Sequence, residues 1–403
     1  MKARWMVLPR ATFICACLAL GACGTLPRNA VPLEHMPEAV IPGMPDARSW
    51  VGRPGAALAR DLDASFDQET PAEFPRAADG TVYYAHLALS GGGPNGAFGA
   101  GLLNGWSAQG TRPVFKIVTG VSTGALMAPF AFLGPTYNEA LREFYTTTAT
   151  RNIVQRLSII PALLAGESLT DSGPLSALID RHVDAGFLAQ VAQAHERGRR
   201  LYIATVDLDA QRFVVWNMGL IAASGQPEAL ALFRKVMLAS ASVPIVMPPV
   251  FFDVEAGGGR YAEMHVDGAV AASVFFSGGV FGPDLIRERG GRGRSREDVF
   301  VIHNGQLRPV PEEVRRSLGS ISARTLNASS RAAMVGSLFR IYGFAREAQA
   351  GFHWVTIPDG IEIEGTETFD PVRMRALYEA GYDYARKGPV WTRQPPGFQF
   401  GEP

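Results

Sequence analysis

The sequence predicts an α/β fold, a three-layer sandwich with a mostly parallel central sheet. An apolar run, Val82–Leu89, has the pattern of a buried strand, and a helix rich in small residues is predicted over Ala97–Ser107. A second strand pattern, Val114–Thr119, leads into another helix that begins near Thr123. Strands joined by a helical crossover are parallel, because the connection returns the chain to the same end of the sheet. These segments therefore predict a β-α-β-α unit.

The rest of the chain continues this alternation of strand and helix patterns. Further strands are predicted at Leu201–Val206, Arg212–Trp216, His265–Asp267, Val299–His303 and His353–Ile357. Helices are predicted at Ala56–Phe66, Glu139–Thr146, Leu175–His182, Pro227–Ala239, Ala323–Ala350 and Pro371–Lys387. Two glycine-rich segments, Gly257–Gly259 and Gly278–Asp298, are expected to be exposed loops.

The composition is that of a globular protein with a substantial core. Of the 403 residues, 47% are hydrophobic and 19% are charged, which excludes a disordered chain. The 38 basic residues balance the 38 acidic ones, which argues against nucleic-acid binding. The three cysteines, Cys15, Cys17 and Cys23, all lie near the N-terminus. The body of the chain therefore contains neither a zinc–cysteine site nor a disulfide framework.

The first residues have the pattern of an export signal. Basic residues and no acid precede the apolar run Ala11–Leu20, which is too short to span a bilayer core of about 30 Å. The run ends in the sequence LGAC at residues 20–23, which resembles the lipobox of bacterial lipoproteins. This resemblance implies that Cys23 is acylated as the first mature residue and that Gly24 directs the protein to the outer membrane. A short membrane anchor and a signal peptide with a chance cysteine are the alternatives.

The segment after the signal has the composition of a tether. Prolines recur between Pro27 and Pro54 with no apolar periodicity, which is typical of an extended linker. The predicted boundaries are a signal peptide over 1–22, a lipidated cysteine and tether over 23–80, and the α/β domain over 81–403. Processing at Cys23 leaves 35 basic and 38 acidic residues, a net charge of −3. Membrane association should then depend on the acyl anchor more than on a basic patch.

A serine lies between two glycines where the second predicted strand meets its helix. Residues 120–124 read GVSTG, the G-x-S-x-G form of a nucleophile elbow. A serine in such a tight turn has a strained backbone, so the neighbours two positions away, Gly120 and Gly124, must be small. The following helix directs its N-terminal N–H groups at the site, which stabilises developing negative charge. Ser122 is therefore the candidate nucleophile, and a chance glycine turn is the alternative.

A glycine cluster follows the first predicted strand. Gly91, Gly92, Gly93 and Gly96 can expose backbone N–H groups without side-chain cover, which suits an oxyanion hole or a phosphate. The segment also fits the G-x-G-x-x-G pattern of dinucleotide sites. Those sites need an acid about 20 residues further on, and no Asp or Glu occurs from Thr81 to Asn138. A dinucleotide site is therefore disfavoured.

A third motif places an acid at the end of a later strand. Residues 265–269 read HVDGA, so Asp267 is followed by the small residues Gly268 and Ala269. An aspartate there can approach a substrate or a serine, although a capping role in a turn is the simpler explanation for it alone.

Along the chain the glycine cluster comes first, then the G-x-S-x-G motif and then D-G-A. In this order the three motifs resemble those of the patatin-like phospholipase family. The resemblance covers roughly Leu87 to Asp267. It implies a three-layer α/β acyl hydrolase domain in which Ser122 is the nucleophile and Asp267 its base, a dyad without histidine. The family commonly has Arg or Lys where this chain has Asn95, so a charge-assisted role at that position is in doubt.

The expected activity is hydrolysis of phospholipids or other acyl esters through an acyl-enzyme, with no cofactor and no catalytic metal. Acyl transfer and thioester hydrolysis use the same chemistry and remain open. A Ser-Asp-His triad would recruit His303 or His265. A catalytically silent, lipid-anchored binding scaffold is the alternative from another class. Acyl preference, headgroup, leaflet and oligomeric state are not predicted.

Overall fold

The computed structural model describes residues 26–51, 56–147, 153, 155–156, 168, 170–276, 295–309, 311–361, 369–388 and 391–397. The predicted signal peptide and Cys23 lie outside the described residues, as does most of the predicted loop Gly278–Asp298. Within the described part of the chain, no helix has both the length and the apolar character needed to cross a membrane.

A nine-stranded sheet forms the centre of the fold. Its strands are β1 (Arg48–Trp50), β2 (Val82–Leu89), β3 (Phe115–Gly120), β6 (Arg200–Asp207), β7 (Arg212–Asn217), β8 (Val250–Ala256), β9 (Gly259–Asp267), β10 (Ser295–His303) and β11 (Gly351–Thr356). The short strands β4 (Gln155–Arg156) and β5 (Thr170–Asp171) form a separate pair.

The main sheet has the strand order β1-β7-β6-β3-β2-β10-β11. The five strands from β6 to β11 in this order are parallel to their neighbours, as the helical crossovers predict. β7 and β1 extend the sheet in antiparallel fashion, and the β8–β9 hairpin joins it through β9 and β6. The prediction of a mostly parallel central sheet is therefore confirmed.

Helices cover both faces of this sheet. They are α1 (Ala56–Asp67), α2 (Gly96–Gln109), α3 (Thr123–Leu133), α4 (Asn138–Thr146), α5 (Gly173–His182), α6 (Ala185–Glu196), α7 (Met218–Ala223), α8 (Ala229–Ser240), α9 (Leu318–Glu347) and α10 (Pro371–Arg386).

Two clusters of buried apolar side chains, one on each face, make the fold three-layered. One cluster joins the sheet to α2, α3, α8 and α10, and the other joins it to α1 and α9. Successive β2 residues belong to different clusters, Leu87 to the first and Ala88 to the second. This two-sided burial explains why β2 has a continuous apolar run instead of an alternating pattern.

The segment predicted as a tether is instead packed against the domain over most of its length. Val31, Ile41 and Met44 are buried in the main core. β1 pairs with β7, and α1 buries Leu58 and Leu62 against the other face of the sheet. The prediction of a free linker from 23 to 80 is therefore wrong over these residues. Apolar side chains spaced irregularly between prolines fill separate grooves, so their burial leaves no periodic signal.

Other differences concern elements that lack a distinctive pattern. β8 and α6 were not expected from the sequence. The predicted loop Gly257–Gly259 is the tight turn of the β8–β9 hairpin, with Gly257 and Gly258 both at positive φ. The end of the predicted loop Gly278–Asp298 belongs to β10, which begins at Ser295.

Candidate active site

Ser122 lies in a strained turn between β3 and α3. Its φ of 56° and ψ of −128° are unusual for a residue with a side chain. The turn is held by its neighbours: the Ser122 amide donates to Ser240 Oγ at 3.1 Å, and the Ser122 carbonyl accepts from the Ala125 amide at 2.8 Å. Ser240 Oγ in turn donates to the Ala204 carbonyl on β6 at 2.6 Å. The hydroxyl is thus presented at the N-terminal end of α3, on a residue that is 7% exposed.

Close backbone packing explains the glycines on either side of Ser122. A Cβ at Gly124 would lie 2.3 Å from the Leu89 carbonyl oxygen at the end of β2. A Cβ at Gly120 would lie 2.3 Å from the Gly124 carbonyl oxygen. No side chain fits at these distances, so the elbow can only form with glycine at both positions.

The sheet brings Asp267 to the same edge as Ser122. Asp267 ends β9 and is paired with Thr205 of β6, and β6 is paired in turn with β3. Its amide donates to the Ser242 carbonyl at 2.9 Å, and its Oδ1 accepts from the Ala269 amide at 2.8 Å. Asp267 Oδ2 is buried, and no described residue donates a hydrogen bond to it.

Burial raises the pKa of Asp267 to about 7, against the lowering effects of the nearby Ser122 side chain and of the Ala269 amide. A carboxyl that titrates near neutrality, beside a serine hydroxyl, is matched to general-base work at physiological pH. Gly268 follows without a side chain because a Cβ there would lie 2.5 Å from the Ala204 carbonyl oxygen.

The glycine loop after β2 faces the serine. A Cβ at Gly91 would lie 3.2 Å from Ser122 Cβ and 3.7 Å from Ser122 Oγ. The Gly91 amide, however, donates to the Ser273 carbonyl at 3.0 Å, and the Gly96 amide bonds back to Gly93 and Pro94. These two amides are therefore not free for an oxyanion, which corrects the predicted set of four.

The amides of Gly92 and Gly93, with that of Thr123 at the start of α3, remain as the candidate oxyanion donors. Asn304, at the end of β10, supports this loop and has no signature in the sequence. Its amide donates to Ser90 Oγ at 2.8 Å, and its Nδ2 donates to the Ser90 carbonyl at 2.9 Å.

The two histidines considered for a triad make other contacts. His303 Nδ1 lies 3.1 Å from Ser90 Oγ, and burial lowers the pKa of His303 to about 4. His265 Nδ1 lies 2.8 Å from Thr205 Oγ1, and its Nε2 lies 3.1 Å from a Glu263 carboxylate oxygen. Among the described contacts, neither ring reaches Ser122 or Asp267.

A buried polar network lies behind Asp267. Donor atoms of Asp207, Glu263 and His265 lie within 4.8 Å of one another, a grouping that could hold a metal ion. Arg48 of β1 donates to both carboxylate oxygens of Glu263 and so supplies a positive charge to the group. Burial raises the pKa of Glu263, but His265 and Arg48 outweigh it and bring the value down to about 2. Arg48 therefore supplies a positive charge that balances the acidic groups of this network. Its bonds to Glu263 also connect β1 to β9.

A cleft of about 710 Å³ borders the glycine loop. It is lined by Gly91, Gly92 and Ala269, which are close to the Ser122 elbow. Residues of α9 and of the chain around 305–308 and 359–361 also line it. The site therefore opens into a space with room for a substrate larger than a simple ester.

A serine in a strained strand-to-helix turn, beside a glycine loop on an α/β sheet, is typical of α/β serine hydrolases. Residues 87–278 match the family described as patatin-like phospholipase. Residues 87–278 therefore form a patatin-like phospholipase domain. The patatin-like phospholipases are a family of lipid hydrolases.

Comparisons with other proteins give more distant similarities. The structure of VipD from Legionella pneumophila aligns with a TM-score of 0.33 at 12% identity, over 78% of this chain and 69% of that one. A structure of the SpcU–ExoU complex from the type III secretion system of Pseudomonas aeruginosa aligns with a TM-score of 0.29 at 16% identity. That match covers 76% of this chain and 52% of the other. No curated protein sequence matches the chain.

Proposed function

We propose that this protein is a serine lipid acyl hydrolase, of the phospholipase A or carboxylesterase type, that uses a Ser122–Asp267 dyad. The observation that carries the proposal is the pairing of a strained serine with a buried carboxyl whose pKa is raised to about 7. An unperturbed aspartate, with a pKa near 4, would be too weak a base for a serine hydroxyl at neutral pH.

In the first half-reaction, Ser122 Oγ attacks the ester carbonyl carbon while its proton passes to the Asp267 carboxylate. The resulting oxyanion is stabilised by the amides of Gly92 and Gly93 and by the N-terminal end of α3. When the tetrahedral intermediate collapses, the leaving alkoxide takes the proton from Asp267 and departs as an alcohol. The acyl group remains on Ser122 as an ester.

In the second half-reaction, water replaces the alcohol. Asp267, again ionised, accepts a proton from the water as its oxygen attacks the acyl-enzyme. Collapse of the second intermediate breaks the bond to Ser122 Oγ, which recovers the proton from Asp267. The fatty acid leaves, and the dyad returns to its starting state without a cofactor.

The direct test measures fatty-acid release by the full-length protein from phospholipids and from neutral esters of increasing chain length. Ser122→Ala and Asp267→Asn should each lower turnover by at least a hundredfold. Asp253→Asn is the matched control, because Asp253 is an exposed residue on β8, beside β9. If Asp267→Asn retained full turnover while Ser122→Ala lost it, the dyad would be wrong.

The same assay decides between the alternatives. A silent scaffold predicts equal, background release from the parent protein and from Ser122→Ala. An acyltransferase predicts acylated alcohol when an acceptor alcohol is added, at the expense of free fatty acid. A triad predicts a large loss in His303→Ala or His265→Ala, measured on protein that keeps its melting temperature.

We further propose that the protein is exported and anchored to the outer membrane through an acylated Cys23. The support is the short apolar run followed by the lipobox-like LGAC sequence. Metabolic labelling with a fatty acid should mark the parent protein, and Cys23→Ser should lose both the label and the membrane association. Cys17→Ser is the matched control, because Cys17 lies within the predicted signal.

A further inference from the structure

The cleft beside Ser122 has a second wall that comes from α9. Arg324, Asn327, Arg331 and Met334 all line the cleft. Their spacing of three, four and three residues places them on one face of the helix. This face therefore lines the same cleft as Gly91 and Gly92 of the glycine loop.

The charges in this part of the cleft are unequal. Three guanidinium groups, from Arg308, Arg324 and Arg331, line it together with the carboxylates of Glu312 and Asp359. Arg324 Nη1 lies 3.5 Å from Glu312 Oε2, so these two charges largely compensate each other. An excess of positive charge remains, and Arg331 lies about one turn of α9 from the fully buried Met334.

Arg331 lacks a partner among the described residues. Its Nε is shielded from solvent and makes no hydrogen bond, and no ion pair with a described carboxylate involves its guanidinium. A shielded N–H group without an acceptor is unfavourable, and more so when the group is charged. A ligand that brought an anionic oxygen to this position would remove that penalty.

We propose that Arg331 is the anchor of a subsite for the phosphate group of the substrate headgroup. The proposal rests on the lipid hydrolase function above and adds a residue that determines selection of the headgroup. The planar guanidinium can offer two parallel N–H donors to a phosphate, a match that neutral esters do not provide. Asn327, on the same face of α9, contributes a side-chain amide donor to the subsite.

The geometry of a glycerophospholipid fits this division of the cleft. Its phosphate and its acyl esters are attached to one glycerol unit, so both ends can lie in the same cleft at once. With the phosphate at Arg331, the acyl esters of the same molecule would remain in the cleft that Gly92 also lines. The headgroup contact would thus select phospholipids over neutral glycerides before the chemical step.

The kinetic test compares a phospholipid with a diacylglycerol of the same acyl chains. Arg331→Gln should raise KM for the phospholipid at least about tenfold, since it removes a charge-assisted hydrogen bond to the phosphate. Its kcat/KM for the diacylglycerol should stay within about twofold of the parent. Arg331→Lys should recover part of the loss. Arg340→Gln is the matched control, because Arg340 is exposed nine residues further along α9, on its opposite side.

A binding test separates this proposal from the proposed function. Full-length Ser122→Ala is titrated calorimetrically with glycerol 3-phosphate, inorganic phosphate and glycerol. Tighter binding of glycerol 3-phosphate than of phosphate or glycerol, weakened at least about tenfold by Arg331→Gln but not by Arg340→Gln, supports the subsite.

Equal binding of inorganic phosphate and glycerol 3-phosphate would overturn the headgroup assignment and indicate a free-phosphate site. Equal kinetic losses on phospholipid and diacylglycerol in Arg331→Gln would also overturn it. If the parent protein hydrolysed no ester, the proposed function would fail, while the titration would still decide whether Arg331 binds a phosphate group.

Discussion

The raised pKa of Asp267 leads to a specific pH dependence of catalysis. In the proposed dyad, Asp267 must be ionised to accept the proton of Ser122, and its pKa in the folded protein is about 7. The ionised fraction is then about 90% at pH 8, about 9% at pH 6 and about 1% at pH 5. Activity should therefore be present above pH 7 and fall about tenfold from pH 8 to pH 6, then about tenfold more by pH 5.

The assay is fatty-acid release, quantified chromatographically at limiting concentrations of an ester without ionisable groups, so that kcat/KM reports the free enzyme. Melting curves across the same pH range show where the protein stays folded. A base with the properties of His303, whose pKa is lowered to about 4, would be neutral above pH 5 and give a flat profile from pH 5 to 8. A flat profile would thus refute the assignment of Asp267 as the titrating base.

Three further predictions follow from the same structure. The pKa of Asp267 is raised in the folded protein, so its ionisation lowers the stability of the fold as pH rises from about 4 to 7. Asp267→Asn should therefore have a higher melting temperature than the parent at pH 8 and the same melting temperature at pH 4. Gly91→Ala should lower kcat at least tenfold, because the added methyl would lie 3.2 Å from Ser122 Cβ and crowd the nucleophile. Gly336→Ala, with open space around it, should leave turnover unchanged. Arg48→Met leaves the Glu263 carboxylate buried without its cation, so it should lower the free energy of unfolding in denaturant by about 3–5 kcal/mol. Adding Glu263→Gln should restore part of that free energy.

Local sequence patterns were sufficient to predict the strand β2 and the turn around Ser122. All residues of the run Val82–Leu89 except Tyr83 are buried, so the segment is mostly apolar, and β2 has those same bounds. Gly120 and Gly124 are required by backbone contacts within a few residues of Ser122 or with the neighbouring strand. Constraints of this kind leave their trace in short stretches of sequence, where they can be recognised.

Contacts between distant segments left no such trace. The bond from the Gly91 amide to the Ser273 carbonyl removed one predicted oxyanion donor, and it joins two loops 182 residues apart in sequence. The role of Arg331 depends on which face of α9 meets the cleft, and Arg48 is linked to Glu263 only by the pairing of the sheet. Single-sequence patterns describe a residue's neighbours along the chain, and these three features depend on neighbours in space.

The packing of the N-terminal segment sets how far the domain can lie from a bilayer. Only seven residues lie between Cys23 and Val31, which is buried in the main core. Even fully extended, the eight Cα–Cα steps from Cys23 to Val31 span about 28 Å, and a tether that continued to residue 80 would have allowed several times that distance. With acyl chains on Cys23, as proposed, this short linker would keep the α/β domain close to the lipid surface. Its substrate would then be met by lateral diffusion in the bilayer, at the high local concentration that such confinement provides.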